Sequence, residues 1–166
     1  MEAAPQTAGK DTPISAPQPQ TSVLIRPTTH GDHAFVMDSW LRSFGQGRTW
    51  VYRGVRGNRF YTGHRKVVDG LMSRSLTLAA CLEEVPDAVL GWICVEDGCL
   101  HYLYVKNKYR KKGVASQLMR YAEKMTGELQ VCSHQTGQWK RFTPGQKLNF
   151  SPGHAYYEPI GEKHGT

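Results

Sequence analysis

The chain opens with a polar stretch, and segments with regularly spaced apolar residues follow it. Residues 1–22 hold four prolines and almost no large apolar side chain. They cannot bury enough surface to offset the entropy lost on ordering, so we predict a disordered tail. Val23–Ile25 predicts a short strand. After Thr29, which can cap a helix, apolar residues recur every three or four positions, at Phe35, Val36, Trp40, Leu41 and Phe44.

Glycine and arginine dominate the next part of the chain. Four glycines and four arginines lie between residues 45 and 60, which predicts a mobile basic loop. A second helix is expected from Tyr61 to Ser73, although two glycines weaken its pattern.

Three strands are predicted in close succession after this helix. Leu76–Leu82 is the first, and a turn at Pro86-Asp87 separates it from Val89–Val95. Asp97-Gly98 is a strong hairpin signal, and it leads into Cys99–Val105. This last strand carries no charged residue and is apolar or aromatic on both faces, which is typical of a central, doubly covered strand.

The remaining segments complete a domain over residues 23–166. A helix is expected from Val114 to Met125, with Gly127 as its C-cap, and then a strand over Glu128–Ser133. The predicted order of elements, including those beyond residue 134, is β-α-α-β-β-β-α-β-α-β-β. It indicates an α/β (α+β) domain with a mixed, mostly antiparallel central sheet.

Composition narrows the class of protein only a little. The net charge of +7 and pI near 9.3 favour an anionic partner such as a nucleotide cofactor, a nucleic acid or an acidic protein. The four cysteines form no CxxC pair, which predicts buried reduced thiols and no zinc site. No apolar run approaches the ~18 residues of a membrane span, and no secretory signal is visible at the N-terminus. We therefore expect a cytoplasmic protein.

The candidate site is the turn between the strand ending at Val105 and the helix that follows. Its sequence is Arg110-Lys111-Lys112-Gly113-Val114-Ala115-Ser116. The glycine permits a positive φ and close approach of a ligand, and the first amides of the helix carry the positive end of its dipole. With three basic residues beside them, these amides suit a diphosphate. On spacing alone, an ordinary surface turn with a helix cap fits equally well.

The context of this turn resembles the coenzyme A signature of the GNAT acetyltransferases. Over Leu90–Thr126, an LGW strand, a hairpin, a strand ending in Val105 and an R-x-x-G-x-A turn follow one another as in that family. Ala115 stands where many members have a third glycine. The element order over residues 23–158 also matches. The sequences DSWLRSF and LHYLYVK are in addition similar to small GNAT-like proteins of tailed bacteriophages.

The resemblance implies a fold, a cofactor and its contacts. It implies helices on both faces of the sheet and acetyl-coenzyme A as acyl donor. The main-chain groups of Leu103, Tyr104 and Val105 would pair with the pantetheine arm, where their strand separates from Glu128–Ser133. The amides of Lys111 to Ser116 would hold the pyrophosphate, with Arg110 beside them.

Transfer to an amine requires a group that removes a proton near neutral pH. His101 in the central strand is the first candidate, acting directly or through water, and Glu96 is the second. The alternative for His101 is a core histidine bonded to the backbone. Members of the family often have a carboxylate near the start of this strand, where Cys99 stands here.

The general acid depends on how the chain ends. Many members of the family use a tyrosine of the last helix, and Tyr157 in AYYEPIG matches their YxxxG segment. Alternatively, Gln135–Phe142 is the last helix and residues 147–158 form a hairpin around Pro152-Gly153. Trp139 or Phe142 would then occupy the position of the acid, and neither can donate that proton.

The acceptor pocket is expected between the first two helices and the centre of the sheet. Trp40, Tyr61 and His64 are candidates to line it, and His134 is a further polar candidate. Trp40 also suits the core. Tyr61 and His64, three positions apart on a helix, equally suit a solvated face.

Three functions compete on this evidence. The first is an acyltransferase for an amine of a protein, a small molecule or a nucleobase. The second is a non-catalytic nucleic-acid-binding module, since the basic loop 48–59 with Trp50 and Tyr52 could contact phosphates and stack on bases. That loop could instead recruit an acidic protein to an enzyme. The third is a degenerate acyltransferase that binds coenzyme A without turnover.

Overall fold

The apolar strands predicted between residues 76 and 105 form the middle of the sheet. The computed structural model describes residues 22–47, 57–136 and 148–156. Within these residues six strands form one sheet, in chain order: β1 Val23–Pro27, β2 Leu76–Leu82, β3 Val85–Glu96, β4 Cys99–Val105, β5 Val131–Cys132 and β6 Asn149–Phe150. The three pairs β1–β2, β2–β3 and β3–β4 are antiparallel, whereas the pairs β4–β5 and β5–β6 are parallel.

Helices cover both faces of this sheet, as predicted. They are α1 His33–Gly47, α2 Gly57–Arg74 and α3 Val114–Thr126. The face toward α3 is a cluster of buried aliphatic residues, with Leu118 of the helix packed among the strands. The face toward α1 and α2 is aromatic, since Trp40 and Phe44 pack against Trp92 and Tyr102. The predicted fold class is therefore confirmed. Within the described ranges, no helix is long and apolar enough to cross a bilayer.

Several local signals predicted the strand ends well. Asp97 and Gly98 have φ values of 45° and 72°, as a tight hairpin of this kind requires, and they join β3 to β4.

The turn predicted at Pro86-Asp87 is wrong, because Leu82 pairs with Val85 and the chain already reverses at residues 83–84. Three residues after Val85 fall outside the register, so the missing N–H of proline is tolerated there.

Two further predictions need correction. The basic loop 45–60 is shorter than predicted, because residues 45–47 belong to α1 and residues 57–60 open α2. The predicted C-terminal hairpin is wrong within the described residues. Pro152–Ala155 forms a 3-10 turn at the start of its expected second strand, and β6 pairs in parallel with β5. Proline fixes φ at the first position of that turn. Residues 1–21, 48–56, 137–147 and 157–166 lie outside the described residues.

Candidate active site

The centre of the sheet contains a fork between β4 and β5. The two strands are paired only at Cys99 and Leu100, opposite Val131 and Cys132. The amide of Ser133 still donates to the carbonyl oxygen of Leu100 (3.1 Å), and no later β4–β5 pair is formed among the described residues. The pairing of β4 with β3 continues to Val105. Beyond Leu100, this edge of β4 therefore has no neighbouring strand among the described residues.

Only alternate residues of β4 direct their main-chain groups into this fork. The Lys106 amide donates to the Leu90 carbonyl in β3 (2.9 Å), and a Cβ atom on Gly91 would lie 2.5 Å from the carbonyl oxygen of Tyr104. The main chain of Tyr104 is thus directed at β3, which corrects the prediction for that residue. Antiparallel alternation directs Leu103 and Val105 into the fork.

The predicted basic turn follows β4 directly. Lys111 and Gly113 both have positive φ, at 60° and 80°, and Gly113 is the N-cap of α3. A Cβ at Gly113 would meet nothing closer than 3.9 Å, so backbone conformation and not space demands glycine here. Val114 is buried and anchors the helix, while Arg110, Lys111 and Lys112 are exposed.

Arg110 joins the fork to the turn. Its Nε donates to the carbonyl oxygen of Val105 at 2.9 Å. The first helical hydrogen bond of α3 runs from the Gln117 amide to the Gly113 carbonyl (3.0 Å). The amides of Val114, Ala115 and Ser116 precede it, so they have no partner within the helix. A run of free amides and cations therefore begins where the fork ends.

A chain of hydrogen bonds between side chains runs from the end of β3 through β4 and the two residues after β5 to α2. It links Glu96 Oε2 to His101 Nε2 (3.2 Å), His101 Nδ1 to Ser133 Oγ (2.8 Å), Ser133 Oγ to His134 Nδ1 (2.8 Å), and His134 Nε2 to His64 Nε2 (3.0 Å). We call these five side chains the histidine chain. Its three imidazoles and its hydroxyl are buried, and Glu96 is also paired with Arg74 at 3.0 Å.

Burial controls the protonation of the three imidazoles. It lowers the pKa of His64 to about 4 and that of His101 to about 4, although the Glu96 carboxylate acts against the second shift. Burial and the neighbouring His64 lower the pKa of His134 well below its usual value. All three are therefore neutral near pH 7. No group of three or more metal-ligating side chains in the described ranges is arranged to hold a metal ion.

A bulge in β4 gives His101 its place in this network. Val95 pairs with Leu100 and Cys94 pairs with Tyr102, so His101 is an extra residue that no β3 residue faces. Such a bulge redirects a side chain within an otherwise regular strand. His101 is a core histidine, as the alternative has it, but among the described residues its ring bonds to the side chains of Ser133 and Glu96, with the Cys99 sulfur 3.9 Å from Nδ1, and not to the backbone. Because it is only 1% exposed, direct contact with a substrate is also excluded in this conformation.

The predicted acceptor residues separate into two groups. His64 and His134 are buried in the aromatic cluster with Trp40, whose ring lies 5.3 Å from that of His134. Tyr61 is 40% exposed whereas His64 is buried, so the two do not form a solvated face, which corrects that alternative, although both rings pack on Phe60. The indole N–H of Trp40 is buried without a hydrogen-bond partner among the described residues.

Some residues of the site were missed, and others cannot be placed. Ser133 and Arg74 were not predicted; a hydroxyl next to His134 was the only signal for the first. Arg74 lies 22 residues from its partner Glu96, so no local pattern in the sequence indicates the pair. Tyr157, Trp139 and Phe142 lie outside the described residues. The four cysteines are buried, as predicted.

Comparison with known proteins agrees with this geometry. Residues 75–161, more than half of the chain, match the family model described as acetyltransferase (GNAT) domain. A putative acetyl transferase from Pyrococcus furiosus is 17% identical, with a TM-score of 0.54 over 78% of this chain and 98% of that one. A structure from Corynebacterium glutamicum, described as histone acetyltransferase HPA2 and related acetyltransferase, is 14% identical, with a TM-score of 0.50 over 64% and 72%.

A third solved structure is also similar to this chain. The GNAT family acetyltransferase from Brucella melitensis in complex with acetyl-CoA is 19% identical, with a TM-score of 0.47 over 74% of this chain and 82% of that one. No curated protein matches. At these identities the two structures with TM-scores of 0.54 and 0.50 establish the fold. The family model covers the fork, the turn and α3. The chain belongs to the GNAT acetyltransferase family.

Proposed function

We propose that the protein is an N-acyltransferase that moves an acetyl group from acetyl-coenzyme A to an amine. The observation that carries this proposal is the fork between β4 and β5, which leads into the basic turn at the start of α3. An arm with amide groups suits the unpaired edge of β4. A diphosphate suits the free amides and cations beyond it. Both parts of acetyl-coenzyme A thus find groups of matching chemistry, in the right order along the chain.

Each part of the site then has a distinct task. The main-chain groups of Leu103 and Val105 bind and orient the pantetheine arm, and the amides from Lys111 to Ser116 hold the pyrophosphate. Arg110, tethered to the Val105 carbonyl, adds its charge at the junction of the two. When bound, acetyl-coenzyme A supplies the acetyl group as a thioester.

The acceptor amine must lose a proton before or during attack. His101 and Glu96 are the proposed bases. Since His101 is buried, it acts through its hydrogen-bond partners and not by direct contact. The indole N–H of Trp40 has no partner within the part of the chain that the structure describes, and an acceptor atom on a bound molecule would remove the cost of this unsatisfied donor. This supports a bound molecule near the aromatic cluster. Acid catalysis by Tyr157 stays a prediction from the sequence.

The acceptor is proposed as an amine of a protein, a small molecule or a nucleobase. Three further predictions stay untested. They are binding of nucleic acid or an acidic protein through residues 48–59, an origin in a tailed bacteriophage, and a cytoplasmic location.

Release of free thiol from acetyl-coenzyme A tests the proposal. Spermidine, a lysine-rich peptide and adenosine represent the three classes of acceptor. We expect amine-dependent thiol release with at least one of them. Tight binding of acetyl-coenzyme A without release from any would indicate a degenerate protein. Salt-sensitive binding of an oligonucleotide without release would indicate the nucleic-acid-binding module.

A further inference from the structure

Three polar residues form a row across the parallel strands at the closed end of the fork, where β4 and β5 are still paired. The pairing of β4, β5 and β6 ends at residues that pack in the aliphatic cluster under α3, namely Leu100, Cys132 and Phe150. Side chains alternate along a strand, so the next residues, His101, Ser133 and Ser151, face the aromatic side of the sheet. The amide of Ser151 donates to the Cys132 carbonyl oxygen (2.8 Å), so the parallel pattern reaches this residue.

The turn after β6 brings His154 to this row. Nδ1 of His154 lies 2.8 Å from the hydroxyl oxygen of Ser151, and the two are hydrogen-bonded. The next residue, Ala155, is buried in the aromatic cluster that contains Trp40 and Tyr102. The turn therefore folds over the aromatic side of the sheet, and His154 itself stays exposed.

Exposure distinguishes His154 from the other imidazoles of this region. The three imidazoles of the histidine chain are buried. Burial is the main cause that lowers the pKa of His101 to about 4, and the nearby His154 acts in the same direction. The two rings are thus close enough to influence each other. A base must come within hydrogen-bond reach of the proton that it removes, and a substrate can reach His154 without any movement of the core.

The proposed function places the reacting bond near this row. The diphosphate of acetyl-coenzyme A is assigned to the basic turn, which follows Val105 at the open end of the fork. The thioester is at the other end of the pantetheine arm, and therefore toward the closed end. His101 lies four residues before Val105, or about 13 Å along the strand. Ser151 is two strands from His101, or about 10 Å away.

We propose that His154 is a catalytic base that contacts the acceptor amine, held in place by Ser151 at the closed end of the fork. This inference rests on the proposed function. It adds an exposed base to the two already named, of which His101 is buried. It also places the amine over the turn Pro152–Ala155, on the aromatic side of the sheet.

The bonds made and broken in this step balance. A hydrogen on Nδ1 of His154, donated to the Ser151 hydroxyl oxygen, leaves Nε2 free to accept a proton. The amine nitrogen bonds to the acetyl carbon, and one of its N–H bonds breaks as an N–H bond forms at Nε2. The C–S bond breaks, and its electron pair stays on sulfur as a thiolate. The imidazolium keeps its hydrogen bond to Ser151 and returns the proton to the thiolate through water.

His154→Ala tests the assignment with little risk to the fold, because the side chain is exposed. His30→Ala is the matched control, since His30 is also exposed and lies before α1. The substrate is whichever of spermidine, the lysine-rich peptide or adenosine reacts fastest. We expect His154→Ala to lower kcat about 100-fold, the usual scale of general base catalysis, with KM for acetyl-coenzyme A unchanged. His30→Ala should equal wild type.

Added imidazole separates a base from a structural role. It should raise kcat of His154→Ala at least about tenfold, because a free imidazole can occupy the exposed position and take the proton. The acetylated acceptor is measured by mass spectrometry, since imidazole is itself a nucleophile toward thioesters.

Two results would overturn the assignment of His154 while the transferase function stands. They are wild-type kcat in His154→Ala, and a loss of kcat that imidazole does not restore. A wild-type protein that acetylates none of the three acceptors would instead contradict the transferase function, and the base with it.

Discussion

The Nε2 atoms of His64 and His134 are 3.0 Å apart, and both imidazoles are buried. Only one of the two facing nitrogens can carry a hydrogen. A proton added to either ring would place a buried positive charge next to the neighbouring imidazole. This contact couples α2 to the end of β5, and it makes the fold sensitive to acid.

The free energy of unfolding should fall as pH decreases from about 6.5 to 4. In this window the unfolded histidines bind protons, whereas burial keeps His64 and His101 neutral until their pKa of about 4 is reached. The unfolded state binds more protons, so stability is lost on acidification. Each such shift corresponds to about 3 kcal/mol. Urea denaturation between pH 4 and 8 measures it.

One variant serves this experiment. His64→Phe fits the aromatic cluster and should make the pH dependence shallower by about one proton. A wild-type stability that stays constant from pH 6.5 to 4 would contradict the assigned burial effect.

A second prediction compares two ion pairs close together in the chain. Asp32 is buried, bonds to Arg26 and accepts from the amide and hydroxyl of Thr29, and its pKa is lowered to about 2 chiefly by Arg26. Asp32→Asn should cost about 2 kcal/mol, because buried donors lose a charged acceptor. Asp38→Asn breaks an exposed pair with Arg42 and should cost about 0.5 kcal/mol or less. Equal losses in thermal unfolding would refute the assignment.

A third prediction concerns the close approach of β3 and β4. Gly91→Ala would place its Cβ 2.5 Å from the Tyr104 carbonyl oxygen, so the two strands must shift. We expect a loss of about 2 kcal/mol, within the range for overpacking. Gly63→Ala, on α2 with nothing within 4 Å, should instead stabilise by up to about 1 kcal/mol. Chemical denaturation of both variants measures the contrast, and a neutral Gly91→Ala would contradict the close packing.

The central strands were predictable because their signals are local. Leu76–Leu82 and Cys99–Val105 are uninterrupted runs between clear turns, and the structure gives them the predicted bounds. The turn predicted at Pro86-Asp87 is wrong because a proline need not end a strand. The structure instead places Pro86 in an irregular part of β3, where its carbonyl accepts from Arg26.

The candidate site was predictable as single residues but not as a network. The basic turn needs only adjacent residues, and its glycine has the expected positive φ. His64, His101 and His134 were each named from the sequence, yet their connection depends on tertiary structure. The bulge at His101 and the parallel register of β4 and β5 bring Ser133 between two imidazoles. Neither feature leaves a signal in a single sequence.

Calorimetric titration with acetyl-coenzyme A tests the basic turn most directly. Gly113→Glu and Gly127→Glu form a matched pair, because both glycines are exposed, have positive φ and lie at opposite ends of α3. Either substitution strains the backbone and adds one negative charge, but only Gly113 adjoins the free amides. Circular dichroism verifies that both variants are folded.

We expect wild type and Gly127→Glu to bind acetyl-coenzyme A with similar affinity. Gly113→Glu should bind at least about 100-fold more weakly, a loss of about 2.7 kcal/mol. Wild-type affinity in folded Gly113→Glu would contradict the assignment of the turn as the pyrophosphate site.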